Sequence, residues 1–179
     1  MKTPTFITGN KHKAAYLSSL LGIELPHQKV DLDEIQSLDL KEIVEHKVKQ
    51  AYEIIKGPVL VQDVSVEFSA LNGLPGPFIR FFVDNVPFQK ACDMIPKDER
   101  SATARVVYGY YDGQEVTFFE GSLKGTIALE PRGEGGFGWD KIFIPEGYSI
   151  TRAEMSPEDD MKTYKAMHPF EDMVREFLK

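Results

Sequence analysis

The stretch Pro58-Val-Leu-Val-Gln-Asp-Val-Ser-Val-Glu-Phe-Ser-Ala-Leu-Asn-Gly-Leu-Pro-Gly-Pro-Phe-Ile-Arg-Phe-Phe82 decides the fold. Val59-Leu60-Val61 is a short apolar, β-branched run of the kind that forms a buried strand. The run gives way to Gln62-Asp63. In open α/β sheets, a polar pair at the end of a buried strand is where chemistry is usually placed. Asn72-Gly73-Leu74-Pro75-Gly76-Pro77 then packs two glycines and two prolines into six positions. Such a segment fixes its backbone, because proline presets φ and glycine allows the turns in between. A buried strand followed by an ordinary surface loop accounts for the same residues.

Outward towards the N-terminus, Leu40 to Ile55 carries Leu40, Ile43, Val44, Val48, Ala51 and Ile55 at helical spacing, which predicts an amphipathic helix. Lys47 falls inside that apolar stripe. Its stem could pack while its amine reaches water, or the amine could turn into a functional site. Leu25 to Leu32 is expected to form a second strand. It ends in Asp31-Leu32-Asp33-Glu34-Ile35-Gln36, a carboxylate cluster that suits either a solvated loop or a hard divalent cation.

Thr5 to Thr8 reads as the first strand. A helix to about Leu21 follows, with Asn10 as its N-cap and Gly22 as its stop. A tight turn into a helix start directs backbone N–H groups and a positive dipole end at one spot. Lys11 and Lys13 stand in the first turn, where the dipole disfavours cations. That mismatch fits a phosphate site, and it also fits two solvated lysines.

Towards the C-terminus, Val86 to Ile95 is expected to be helical and Ser101 to Tyr111 extended. Asp112-Gly113 signals a hairpin into Glu115 to Phe119, with a further strand over Gly121 to Ala128. The glycine-rich segment Arg132 to Asp140 contains Phe137 and Trp139, flat faces on which a base could stack, or aromatics tucked into the core. Ile142 to Ile144 reads as a strand. Pro157 to about Ala166 and Pro169 to Leu178 read as helices, with Pro169 at a favoured first-turn position.

Three blocks occur together: Thr8-Gly9-Asn10-Lys11-His12-Lys13, Ala70-Leu-Asn-Gly-Leu-Pro-Gly-Pro-Phe-Ile-Arg-Phe-Phe82, and Gly136-Phe-Gly-Trp-Asp140 followed by Ala153-Glu154-Met155. In this order they resemble the inosine triphosphate pyrophosphatase family over nearly the whole chain. The resemblance implies hydrolysis of non-canonical purine triphosphates (inosine, deoxyinosine and xanthosine types) to monophosphate and pyrophosphate. The implied fold is α/β, a mixed sheet with flanking helices and two lobes around a central cleft, within a single domain spanning 1–179.

The resemblance also implies roles. Thr8, Gly9, Asn10, Lys13, Lys47 and Arg80 would hold phosphates; Glu34 and Asp63 would bind Mg²⁺, with Mn²⁺ as the alternative. Asp63, Lys13 and Lys47 would carry catalysis, Asp63 by positioning or deprotonating water. Phe137, Gly138, Trp139, Asp140, Lys162 and His168 would hold the base, with Lys165 as the alternative to Lys162. Family members are typically homodimers.

Three departures bear on this. Gln62 stands where the family has a second acid, Val64 where it has a hydroxyl residue, and Met167-His168-Pro169 where it has Ser-His-Arg. The family arginine donates to the 6-keto oxygen of the base, so Pro169 raises the alternative of the same chemistry with altered or broad specificity. Gln62 and Val64 raise a third, a nucleotide-binding protein without catalysis.

Composition bounds the partners. A net charge of −7 argues against general nucleic-acid binding, which needs a basic surface. The lone Cys92 excludes an internal disulfide. No signal peptide is recognisable near Met1 and no run is long enough to span a bilayer, so a cytoplasmic protein acting on a small nucleotide is expected.

Overall fold

The computed structural model describes residues 1–177. Among them a mixed α/β architecture is built on a seven-stranded sheet. Its strands are β1 (Thr5–Ile7), β2 (His27–Gln28), β3 (Val59–Phe68), β4 (Pro75–Gly76), β5 (Ser101–Tyr111), β6 (Val116–Ile127) and β7 (Phe143–Pro145). The order is β2-β1-β3-β5-β6-β7, with β4 paired to β3. β1 runs parallel to both β2 and β3, whereas β4 and β7 pair antiparallel with β3 and β6. The helices are α1 (Lys11–Leu21), α2 (Leu40–Ile55), α3 (Ile79–Asn85), α4 (Phe88–Asp93), α5 (Pro157–Met167) and α6 (Phe170–Phe177). None of the described helices is long and apolar enough to cross a membrane.

The chain divides into two compact units. The first takes Met1–Asp63, Val107–Glu120 and the residues from Pro169 on; the second takes Val64–Val106 and Gly121–His168.

In the first unit, α2 lays the predicted stripe against the sheet. Leu40, Val44, Val48 and Ala51 pack with Val59, Val61 and Val107 in one buried cluster. Removing any of these from water contributes roughly 1.5–3 kcal/mol per large side chain, which is why the stripe fixes the helix to the sheet. Asp39 caps α2 by accepting from the Lys41 N–H at 2.9 Å. α1 begins at Asn10 as expected and ends at Gly22, whose φ of 67° is left-handed and suits glycine.

In the second unit, Arg100 ties four carbonyls together. Nε donates to Ile127 O (2.6 Å), Nη1 to Ile95 O (2.6 Å), and Nη2 to Cys92 O (3.1 Å) and to Ala128 O. The guanidinium thus collects acceptors left over beyond α4 and at the end of β6.

Several boundaries differ from expectation. β3 does not end at Val61 but runs to Phe68, so Gln62-Asp63 lie within the strand. Val66 and Phe68, on one face, and Ser65, on the other, are buried again, and Val66 and Glu67 pair with β4. The second strand is only His27–Gln28, both exposed. The two strands expected over Glu115 to Phe119 and Gly121 to Ala128 are one, β6, which lies between β5 and β7 without a break at Glu120. Beyond Pro77, Ile79–Asn85 forms α3, and the expected helix over Val86 to Ile95 is the short α4. The last strand lies at Phe143–Pro145. Leu178, expected in the final helix, lies outside the described residues.

Candidate active site

The first unit holds the residues expected to handle phosphate and metal except Arg80, which lies in the second. Thr8 closes β1, and its hydroxyl accepts from the Asn10 N–H at 3.1 Å. Asn10 Oδ1 accepts from the Lys13 N–H at 3.1 Å, which is the helix cap anticipated from sequence. Gly9 lies in the turn between them. The first turn of α1 holds no acidic residue, so the positive end of the helix dipole is left uncompensated from within the helix.

Lys47 is the hub. Its Nζ donates to Glu34 Oε1 at 2.9 Å and to Asp63 Oδ2 at 2.8 Å, and its side chain is only 13% exposed. Burial works against its charge, but Asp63 and Glu34 outweigh that and hold the ammonium above the ordinary lysine value. Lys13 shows the opposite balance. Burial pushes its ammonium below the ordinary value; Asp63 opposes that shift and Lys47 adds to it. Two lysines and two carboxylates thus form one electrostatic group, and a further anion beside Lys13 would raise its ammonium back towards the ordinary value.

The loop carrying Glu34 is held by its neighbour. The Asp33 N–H donates to Gln50 Oε1 at 2.7 Å, and Gln50 Nε2 donates back to Asp33 Oδ2 at 2.9 Å. This reciprocal clamp to α2 was not anticipated; no periodic signal marks it in the sequence. Gln62 Oε1 is buried and accepts no hydrogen bond.

The carboxylates of Glu34 and Asp63 already meet on one cation, Lys47 Nζ. Two hard oxygen donors converging in this way fit a divalent ion that takes most of its ligands from water and phosphate. Among the described residues there is no cluster of three or more His, Cys, Asp or Glu side chains that could hold a metal by itself.

The second unit holds the other expected residues. Phe137 is 82% exposed. It precedes a 3-10 turn, Gly138–Lys141, in which Trp139 packs edge-on against Phe143 with ring centres 5.3 Å apart. Asp140 is buried, and its Oδ2 accepts from the Phe137 N–H at 3.0 Å. Gly136 is required here: its φ is +65°, and a Cβ would stand 2.7 Å from that of Asp140.

Asp140 also faces Arg152, whose Nη1 lies 3.3 Å from Oδ1. Burial raises the Asp140 carboxyl above the usual range; Arg152 and the Phe137 N–H pull it back, and Asp160 adds to the rise. Arg152 escaped the sequence reading. The only local signal was Thr151-Arg-Ala-Glu154, a capping-box pattern, which the structure forms: the Thr151 N–H donates to Glu154 Oε2 at 2.7 Å.

The remaining expected residues are less engaged. Arg80 is 85% exposed on its side chain and lies 3.8 Å from Asp84 on its own helix. Lys162 is exposed and pairs with Glu158 and Asp159 on α5 at 3.0 and 3.4 Å, and Lys165 is exposed as well. His168 is buried and stacks on Tyr164, with ring centres 3.9 Å apart.

Comparison with known proteins places the chain in a family. The sequence profile of the Ham1 family matches residues 5–174. The inosine triphosphate pyrophosphatase of Schizosaccharomyces pombe is 43% identical over 86% of this chain and 84% of its own. That of Scheffersomyces stipitis is 39% identical over 99% of this chain and 98% of its own. A HAM1 protein from Coxiella burnetii superposes with a TM-score of 0.85 at 24% identity, over 98% of both chains, and shows the same fold. Fold and relatives together define a hydrolase acting on phosphoric anhydrides. The chain belongs to the Ham1 family.

Proposed function

We propose that this protein hydrolyses non-canonical purine nucleoside triphosphates, of the inosine, deoxyinosine and xanthosine types, to the monophosphate and pyrophosphate. The observation that carries this reading is the convergence of Glu34, Asp63 and Lys47, with Lys13 electrostatically coupled to them. The reaction forms a bond from water oxygen to the α-phosphorus and breaks the bond from that phosphorus to the bridging oxygen. Pyrophosphate leaves with the bonding electrons.

The work asked of the protein is mostly positioning and charge neutralisation. Asp63 accepts the proton of the attacking water, a role for which an ionised carboxylate is suited. Lys47 holds Asp63 and Glu34 in place. Lys13 and the first turn of α1, with Thr8, Gly9 and Asn10, take the phosphates, and Arg80 adds a further cation. Mg²⁺ held by Glu34 and Asp63, or Mn²⁺ in its stead, would neutralise phosphate charge and orient the triphosphate. Phe137, Gly138, Trp139 and Asp140 form the base-binding segment, with His168 and Lys162 contributing from α5 and its end. The chain acts as one domain, as a homodimer, in the cytoplasm; these three points rest on the family resemblance and on the lone thiol.

The test is pyrophosphate release with Mg²⁺ from inosine, deoxyinosine, xanthosine and standard triphosphates. Asp63→Asn should lower turnover by about 10²–10⁴-fold, the usual contribution of a positioned base, with the melting temperature little changed. Full activity in that variant would sink the assignment. Pro169, in place of the family arginine, supports a second reading with broad base tolerance; equal turnover across the panel would favour it.

A further inference from the structure

We infer that Arg152 sets the base preference of this protein, by holding Asp140 and Trp139 in the arrangement that accepts a 6-keto purine. The inference rests on the reading of 137–140 as the base-binding segment. Arg152 lies in the 3-10 turn Arg152–Glu154 and is 9% exposed. Its Nη2 donates to Asp160 Oδ1 at 2.6 Å, its Nη1 faces Asp140, and its guanidinium carbon lies 5.6 Å from the centre of the Trp139 ring. Its Nε is buried and finds no hydrogen-bond partner among the described residues.

A buried guanidinium is an expensive way to fill space. Apolar residues of similar volume often serve stability as well or better, so the charge calls for another reason. The contacts supply one. Asp140 is gripped from two sides, by the Phe137 N–H on Oδ2 and by Arg152 on Oδ1. The backbone of the base segment is therefore held through a carboxylate whose orientation depends on Arg152. The same guanidinium lies over Trp139, the flat face offered for stacking, in a cation–π contact.

The pairing also has the right polarity. The edge of a 6-keto purine presents an acceptor, O6, beside a donor, N1–H. Adenine presents the reverse, a 6-amino donor beside an N1 acceptor. An ionised carboxylate has about four lone-pair sites and Asp140 has spent two, while Arg152 has an N–H unspent. The Asp140 carboxylate, paired with Arg152, favours N1–H and is repelled by the adenine N1 lone pair. Guanine shares the keto edge, so this device separates inosine from adenosine and not inosine from guanosine. With Pro169 in the place of the family arginine, Arg152 is the buried cation that remains beside the base segment.

Trp139 is the only tryptophan in the chain, so its fluorescence reports on this place directly. Titration with inosine monophosphate and adenosine monophosphate should show tighter binding of the former. Arg152→Gln, which removes charge but keeps a polar stem, should lower that ratio by about tenfold, and Arg152→Lys should recover part of it. Binding of guanosine monophosphate should fall in step with inosine.

A folded Arg152→Gln protein whose ratio stays within about twofold of the original overturns the inference, as does a wild-type signal that responds to no nucleotide. Equal weakening of all three nucleotides would show a structural role and overturn it too. If Arg152→Gln does not fold, Asp160→Asn loosens only the outer anchor; it should lower the ratio by about threefold, and no change overturns the inference. Selective, Arg152-dependent binding without pyrophosphate release would overturn the proposed activity and leave this inference standing.

Discussion

At the scale of the residue, charge in this protein is read from partners more than from residue type. Lys47 lies in the apolar stripe of α2, and periodicity alone could not say whether it snorkels or serves. In the structure its ammonium is held by two carboxylates. Cys92 is the opposite case: buried, with burial as the main cause, its thiol is pushed up to about 11 from 9.0, partly offset by Arg100. The unfolded chain loses this proton near pH 9.0 and the folded chain only near 11. This contribution to stability is therefore fully present below pH 9.0 and is lost as pH rises towards 11. The thiolate is the reactive form, so a thiol reagent at about pH 8 should label Cys92 only at the rate of opening, and denaturant should accelerate labelling by orders of magnitude. Prompt stoichiometric labelling of the native protein would contradict the burial.

At the scale of the element, what the sequence made legible was what repeats or punctuates. The stripe of α2, the Asn10 cap, the Gly22 stop and the Asp112-Gly113 turn each leave a local mark, and each is found. What it hid was decided by pairing at a distance. β3 outruns its apolar start where it pairs with β4, Val66 opposite Gly76 and Glu67 opposite Pro75, and Arg105 reaches Glu67 at 3.0 Å. The Gln50–Asp33 clamp and the place of Arg152 likewise join residues far apart in sequence, which no window of residues can show. The two helix caps allow a test of function against stability. Asp39→Ala and Asn10→Ala should each cost about 1 kcal/mol in urea unfolding, as lost N-caps do. Only Asn10→Ala should also raise the KM for a nucleoside triphosphate, because only α1 opens beside Lys13. An unchanged KM in Asn10→Ala would remove α1 from the phosphate site.

At the scale of the whole molecule, the balance of charge says which form of a base this protein can meet. Duplex DNA is bound without regard to sequence by proteins that release its counterions with many lysines and arginines. A chain with a net charge of −7 is repelled by that polyanion, and its engaged cations are local: Lys13 and Lys47 in one unit, Arg152 in the other, each set beside carboxylates. Lys13 and Lys47, gathered beside Asp63, suit one polyphosphate, whereas a nucleic-acid backbone calls for a long row of cations. The protein should thus act on the nucleotide pool before incorporation and ignore the same base once it is in a polymer. Release of pyrophosphate from inosine triphosphate at about 0.15 M salt, where exposed charges are screened beyond about 8 Å, should be unaffected by a large excess of duplex DNA containing deoxyinosine. Lowering the salt tenfold, which strengthens any true DNA binder by orders of magnitude, should still leave the rate unchanged. Inhibition that grows as salt falls would reveal a basic surface in a protein whose net charge argues for none.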